Sequence, residues 1–155
     1  MIVDKLGRRF KNLRVSLTAA CNYACTYCVP DGKRLMPAKQ ELTALELLKL
    51  VSYLKDASGI DKVRITGGEP LITPKFDEFL MGLGELGFED VSLTTNAQKL
   101  SEKIDVIEAA GIKRLNVSLD TLNPLKFKQI ARGGDLATVL EGIAAAQARG
   151  IKLKI

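Results

Sequence analysis

Five short apolar runs recur along the chain, and helical periodicity fills the gaps between them. Leu13-Arg-Val-Ser-Leu17 alternates apolar and polar residues and stops at Thr18. Lys62-Val-Arg-Ile-Thr66, Val91-Ser-Leu-Thr-Thr95, Arg114-Leu-Asn-Val-Ser-Leu119 and Ile151-Lys-Leu-Lys-Ile155 follow. Such runs read as strands, the first at a sheet edge because its alternation survives. Thr43-Ala-Leu-Glu46 is a capping box ahead of Leu45, Leu48, Val51 and Leu54, and Gly59 is the stop. Thr73-Pro74 predicts the next helix start, with Phe76, Phe79, Leu80 and Leu83 as its apolar face and Gly87 as its end. A third helix is expected from Ser101 to Gly111, a helical turn around Phe127 broken by Gly133-Gly134, and a last helix from Asp135 to Gly150. Strand and helix in strict alternation mean a parallel sheet with right-handed crossovers. The expected fold class is therefore α/β: an open sheet or a partial (β/α) barrel, with the chain ending in about the fifth strand. An apolar strand at the end implies the first part of a longer protein, whose last strand would expose an edge unless paired.

In parallel α/β folds the carboxyl ends of the strands gather at one rim, and chemistry sits there. The strands here deliver Thr18, then Thr66 with Gly67-Gly68-Glu69-Pro70, then Thr94, Thr95 and Asn96, then Asn116, Ser118 and Asp120, and finally Lys154. Adjacent glycines after a strand often only make a turn. They also let a ligand approach bare backbone.

The first strand delivers the most distinctive segment, Cys21-Asn-Tyr-Ala-Cys25-Thr-Tyr-Cys28, which holds all three cysteines of the chain. Thiolates so spaced hold soft metal, iron–sulfur or zinc. A closed zinc site wants four ligands, and the sequence has no histidine and no fourth cysteine. Three thiolates on a four-iron cluster would leave one iron open to a small molecule. The alternatives are zinc completed by Asp or Glu, or a chance cluster of buried or reactive thiols.

The 155 residues suggest one domain, residues 1–155, and 46% apolar content suits a packed core. No run is long enough to cross a membrane, and Met1-Ile-Val-Asp-Lys-Leu-Gly has no apolar signal region. Unpaired cysteines in metal spacing point to a reducing cytoplasm. The net charge is +5. Arg8, Arg9 and Lys11 read as a solvated basic face. Aromatic content of 5% and the lack of a recognition motif argue against nucleic acid.

The three-cysteine segment, with Tyr27 before its last cysteine, resembles the cluster loop of radical S-adenosylmethionine (SAM) enzymes, and Gly-Gly-Glu-Pro about forty residues on strengthens the likeness. Asp4-x-x-Gly7-Arg8, Leu13-Arg14-x-Ser16-x-Thr18, Arg64-Ile-Thr-Gly-Gly-Glu-Pro-Leu71, Leu93-Thr-Thr-Asn96, Asn116-Val-Ser-Leu-Asp120 and Lys152-x-Lys154 appear in order. Together they resemble the molybdenum-cofactor biosynthesis protein A family, the GTP 3′,8-cyclases, across the whole chain. The resemblance implies a [4Fe–4S] cluster on Cys21, Cys25 and Cys28. It implies SAM contacts at Tyr27, Gly67, Gly68, Glu69 and Ser118, and GTP contacts at Arg14, Arg64, Thr94 and Lys154. Arginine forks and a lysine suit a triphosphate. Arg64 and Lys154 lie in otherwise apolar strands, where a buried charge needs a partner.

The implied reaction is reductive cleavage of SAM to a 5′-deoxyadenosyl radical. That radical starts conversion of GTP to the 3′,8-cyclised nucleotide of molybdenum cofactor (molybdopterin) biosynthesis. The implied partners are GTP and a reducing electron donor, with either a homodimer or a partner that completes the barrel as further expectations. Three departures stand out: Ala19-Ala20 where the family has polar residues, Ala97 where a glycine usually follows Thr-Thr-Asn, and no C-terminal region with a second three-cysteine cluster. Two other readings stay open: a radical SAM core for another substrate such as a peptide, and a non-catalytic iron–sulfur or zinc module.

Overall fold

The computed structural model describes residues 2–155. A two-stranded antiparallel ribbon comes first, β1 (Ile2–Val3) with β2 (Arg9–Phe10). Asp4 closes it by accepting from the Leu6 and Arg8 amides and pairing with the Arg8 side chain. The main sheet follows: β3 (Asn12–Ser16), β4 (Lys62–Thr66), β5 (Asp90–Thr95), β6 (Arg114–Val117) and β7 (Lys152–Lys154). Its order is β3-β4-β5-β6-β7, and every neighbouring pair is parallel. This is the expected α/β alternation, with the first strand of the sheet at its edge.

The helices that cross over are α1 (Ala44–Ser58), α2 (Phe76–Glu85), α3 (Leu100–Ala109), α4 (Pro124–Ala131) and α5 (Leu136–Ala148). The capping box of α1 is formed in both directions, with the Glu46 amide donating to Thr43 Oγ1 and the Thr43 amide to Glu46 Oε2. Gly59 closes that helix in the left-handed region at φ 67°. Helix α2 begins later than Thr73-Pro74 predicts. Those residues form a turn after a short 3₁₀ segment (Pro70–Ile72), and the Phe76 amide donates to Thr73 O. Helix α3 starts one residue before Ser101. The turn around Phe127 is a true helix, α4, capped by Asn123 through the Leu125 and Lys126 amides.

Strand alternation splits the sheet into two unlike faces. Val15, Ile65, Leu93, Leu115 and Leu153 stand in register on the face under the helices. Phe76, Phe79, Leu80 and Leu83 of α2 are buried there with Ile107 of α3 and Val139 of α5. Each such side chain contributes about 1.5–3 kcal/mol by leaving water. On the other face Arg14, Arg64, Ser92, Arg114 and Lys152 stand in register, with Arg14, Arg64 and Lys152 exposed, Arg114 half-buried and Ser92 buried among them. Arg64 and Lys154 are therefore exposed. The expectation of charges buried within apolar strands fails because alternation turns them to the uncovered inner face.

Candidate functional site

The carboxyl ends of β3 to β6 surround a hollow of about 210 Å³. It is lined by Cys21, Cys25, Cys28, Tyr27, Gly67, Gly68, Glu69 and Ser118, among others. Every residue proposed from sequence for the cluster or for SAM thus lies on one hollow. A second hollow of about 340 Å³ opens below it on the inner face, lined by Arg14, Arg64, Thr94 and Lys154 with Thr66 and Asn116. Thr66 and Thr94 border both hollows. Among the described residues the buried Asn116 Nδ2 has no hydrogen-bond partner. A third hollow of about 360 Å³ lies lower still and shares Arg14 and Arg64. There Arg114 pairs with Asp90 at 2.6 Å. The hydrogen bonds from the Arg114 guanidinium hold the Asp90 carboxyl below its ordinary value.

Backbone bonds fix the cysteine loop on three sides. The Gly68 amide donates to Thr18 O and the Glu69 amide to Ala20 O, both at 2.8 Å. The Cys21 amide donates to Leu35 O. The last carbonyls of α4 take the loop's inner amides, Ala24 to Ala131 O and Thr26 to Ile130 O. Just past α4, Arg132 adopts φ 49° and donates through Nη1 to Val29 O and Pro30 O, the residues that leave the loop. Gly133 and Gly134 pack so closely on Asn22, Tyr23 and Gln98 that a Cβ would meet their atoms within 3.0 Å or less. The double glycine is thus a packing surface for the loop as well as a helix break. The backbone carbonyls of Ala19 and Ala20 stand close to Gly68, a contact that does not depend on their side chains.

Glu69 is 1% exposed, and its carboxylate turns into the chain. It accepts from the Leu71 amide, Thr95 Oγ1 and the Asn96 amide at 3.1, 2.7 and 2.7 Å. Burial pushes its carboxyl up, and the three donors oppose that. It splices the end of β4 to the end of β5. Asn96 then holds Asn22 of the cysteine loop through its side-chain amide at 2.8 Å. Ala97 sits at φ 62° and is fully buried, so the position where a glycine was expected does take the left-handed conformation, and the alanine carries its strain. Tyr27 donates through its hydroxyl to Asp120 Oδ2 at 3.0 Å. Burial pushes the Cys21 and Cys25 thiols up, so their ionisation leans on a bound metal.

Sequence reasoning missed Glu41. It lies in a loop with no periodicity, and only the Thr18 it reaches was marked. One carboxylate collects Thr18 Oγ1 at 2.8 Å, the Ala19 amide at 2.9 Å, the Ala38 amide at 3.3 Å and Lys75 Nζ at 3.1 Å. The Ala19 amide is the chief cause that its carboxyl falls to about 2. A folded value below the ordinary 4.5 means the contribution is whole above pH 4.5 and is lost as pH falls toward 2. Glu41→Ala is therefore expected to lower the urea midpoint at pH 7 and to flatten its fall between pH 4.5 and 2. An unchanged acid profile would remove Glu41 as the clasp of this loop.

The donor set, three cysteines lining one hollow, fits a four-iron cluster. Among the described residues no three His, Cys, Asp or Glu side chains converge as for one metal ion. A four-iron cluster carries each cysteine on a separate iron, so its ligands ring a hollow instead of meeting at a point. Gly67 and Gly68 line the same hollow, while the space a Cβ would fill on each is taken by the backbone of Thr18 to Ala20.

Comparison with known proteins gives a family and a fold. The Radical SAM superfamily matches residues 15–155. The chain is 45% identical to a GTP 3′,8-cyclase of Rhizobium leguminosarum bv. trifolii (strain WSM2304), covering 99% of this chain and 45% of that protein. It is 46% identical to a GTP 3′,8-cyclase of Rhizobium meliloti (strain 1021), again covering 99% and 45%. The GTP 3′,8-cyclase of Peptoclostridium acidaminophilum is 45% identical, covering 97% and 47%. The chain thus spans about half the length of these relatives. Streptococcus suis SuiB bound to S-adenosylmethionine has a similar fold, with a TM-score of 0.79 at 19% identity over 94% of this chain and 33% of that one. BtrN in complex with AdoMet and 2-DOIA gives 0.67 at 18%, over 95% and 56%.

Proposed function

The chain belongs to the radical SAM superfamily, and from that premise we propose that residues 1–155 are one radical SAM core domain of a GTP 3′,8-cyclase in molybdenum cofactor synthesis. The family's cofactors are a [4Fe–4S] cluster and SAM. When bound, they supply one-electron cleavage of SAM and removal of a hydrogen atom from the substrate. Cys21, Cys25 and Cys28 would hold the cluster. Gly67 and Gly68 would offer backbone to the methionine end of SAM, and Tyr27 and Ser118 would border its nucleoside end. Glu69 would act through its neighbours, because its carboxylate is spent inside the chain.

Arg14, Arg64 and Lys154 would bind the phosphates, with Thr94 at the step between the two hollows. The stacked hollows carry this reading: soft thiolates and bare backbone stand at the rim, and cations stand below. An anionic substrate entering phosphates first would leave its sugar at the shared border, Thr66 and Thr94. No helix among the described residues is long and apolar enough to cross a membrane, in keeping with a cytoplasmic enzyme supplied with electrons by a separate donor.

The test is anaerobic reconstitution with iron and sulfide, reduction, and assay of 5′-deoxyadenosine from SAM, with GTP binding measured alongside. Arg14→Ala and Lys154→Ala are each expected to weaken GTP binding by about 10–100-fold, one lost charge-assisted phosphate contact being worth about 1.5–3 kcal/mol. SAM cleavage should be unchanged in both. GTP affinity equal to the parent's in both variants would favour a different substrate on the same core.

A further inference from the structure

One buried donor on the inner face has nothing to bond. The side chains of Asn22, Asn96 and Asn123 are spent inside the chain: Asn96 Nδ2 donates to Asn22 Oδ1, and Asn123 caps α4. Asn116 Nδ2 is buried and, among the described residues, has no partner. Asp61 Oδ1 shares that condition, but its carboxylate is engaged through Oδ2 with Lys11. A buried N–H without an acceptor is rare in folded chains and costly. Such an orphan asks for an acceptor from outside the chain. Its place says which one. Asn116 stands in register between Thr94 of β5 and Lys154 of β7. All three line the lower hollow with Arg14, Arg64 and Thr66. Ser118, two residues on and so on the same face, lines the upper hollow instead. Asn116 is therefore one step below the rim and level with Thr94, the border at which an entering nucleotide leaves its sugar. Arg14, Arg64 and Lys154 are the stronger partners for phosphate. A neutral carboxamide suits a hydroxyl, to which it can donate and from which it can accept. A half-turn about χ2 exchanges its nitrogen and oxygen, and no bond through Nδ2 resists that turn. The donor can thus swing from the wall to the hollow when an acceptor arrives.

We propose that Asn116 reads the sugar of the substrate, taking a ribose hydroxyl of the nucleoside triphosphate as the acceptor that its Nδ2 lacks. The assignment rests on the GTP reading of the lower hollow. The cations hold the phosphates, and Asn116 fixes the ribose from β6, so the sugar meets the rim in one pose. A deoxy sugar that lacks the hydroxyl would leave the donor as bare as in the empty protein. Discrimination between the two sugars then comes from one hydrogen bond and needs no steric gate.

The probes are GTP, 2′-deoxy-GTP and 3′-deoxy-GTP, with the matching ATP set beside them, titrated by calorimetry into the reconstituted chain. The parent should bind GTP about 10–100-fold more tightly than the analogue that lacks the hydroxyl held. Asn116→Leu keeps the approximate shape and removes the amide, and Asn116→Ala stands in if leucine overpacks. In either variant GTP should fall to the affinity of that analogue, leaving a ratio of less than about twofold. The analogue itself should bind as it does to the parent. A parental ratio in either variant overturns the assignment, because the discrimination then comes from elsewhere. A ratio near one in the parent overturns it too. Equal losses for GTP and both analogues would make Asn116 a support of the hollow and not a reader of the sugar, which also overturns it. Binding of the ATP set with an Asn116-dependent ratio, and none of GTP, would strike the GTP reading and leave the assignment standing. No binding by any of the six nucleotides strikes both.

Discussion

Gly68→Ala is expected to destroy the cysteine loop while leaving the helices in place. A Cβ on Gly68 would stand 2.2 Å from Ala20 O and 2.6 Å from Ala19 O. Both are backbone atoms, so no side chain can swing aside. The Gly68 and Glu69 amides are also the two that bind Thr18 O and Ala20 O. Relief must come from pushing the loop off β4, which breaks both bonds. Two lost buried bonds and the overpacking together cost about 3–5 kcal/mol. The measurement is chemical denaturation at pH 7 together with iron content after reconstitution. We expect a stability loss of that size, iron retention below one-tenth of the parent's and near-native far-UV circular dichroism. A variant that keeps its cluster but loses SAM binding would show that the glycine serves the ligand and not the loop. The Gly67-Gly68 pair thus has an internal reason to be bare, beside any approach by a cofactor.

Glu69→Gln should be nearly as damaging. The Asn96 and Leu71 amides can only donate, and the carboxylate offers an oxygen to each. Glutamine offers one oxygen. If that oxygen keeps Leu71 and Thr95, its NH₂ faces the Asn96 N–H, donor against donor. A buried donor left unpaired costs about 1–3 kcal/mol. Relief of charge burial offsets part of this. The harm should spread, because Asn96 passes its position to Asn22 and Thr95 Oγ1 accepts from the Ala97 amide. Urea unfolding should show a loss of about 2 kcal/mol, and amide exchange should rise at residues 95–98 and 21–24 together. A variant as stable as the parent would mean that the splice between β4 and β5 is dispensable.

These two residues mark how far the sequence could be read. The alternation of Leu13–Leu17, the capping box at Thr43 and the Gly59 stop are local signals, and each holds in three dimensions. The order of the sheet follows from them by the handedness of crossovers. The ribbon of β1 and β2 escaped because two-residue strands carry no period. Thr73-Pro74 misled because a proline that suits a helix start also suits the turn before one. At the site, the cysteines, glycines and cations are identified by residue type, and the fold brings them to adjoining hollows. What holds them is not so marked. Glu41, Gln98 and Arg132 act over 22, 75 and 103 residues of separation, and nothing local in a sequence reports a partner that far away. The inward turn of Glu69 was equally hidden, since Gly-Gly-Glu reads the same whether the carboxylate faces a ligand or the core.

The bonds that shape the cysteine loop have a consequence for what outlasts a lost metal. They run chiefly through the amides of Cys21, Ala24 and Thr26 and the carbonyls of Thr18 and Ala20, with the Tyr23 amide also donating to Cys21 Sγ at 3.4 Å. The backbone around the three cysteines is thus ordered by the chain itself, so a cluster held there would carry little backbone ordering cost. Oxygen that stripped a cluster held there would leave this backbone standing, and iron, sulfide and electrons would be what its rebuilding calls for.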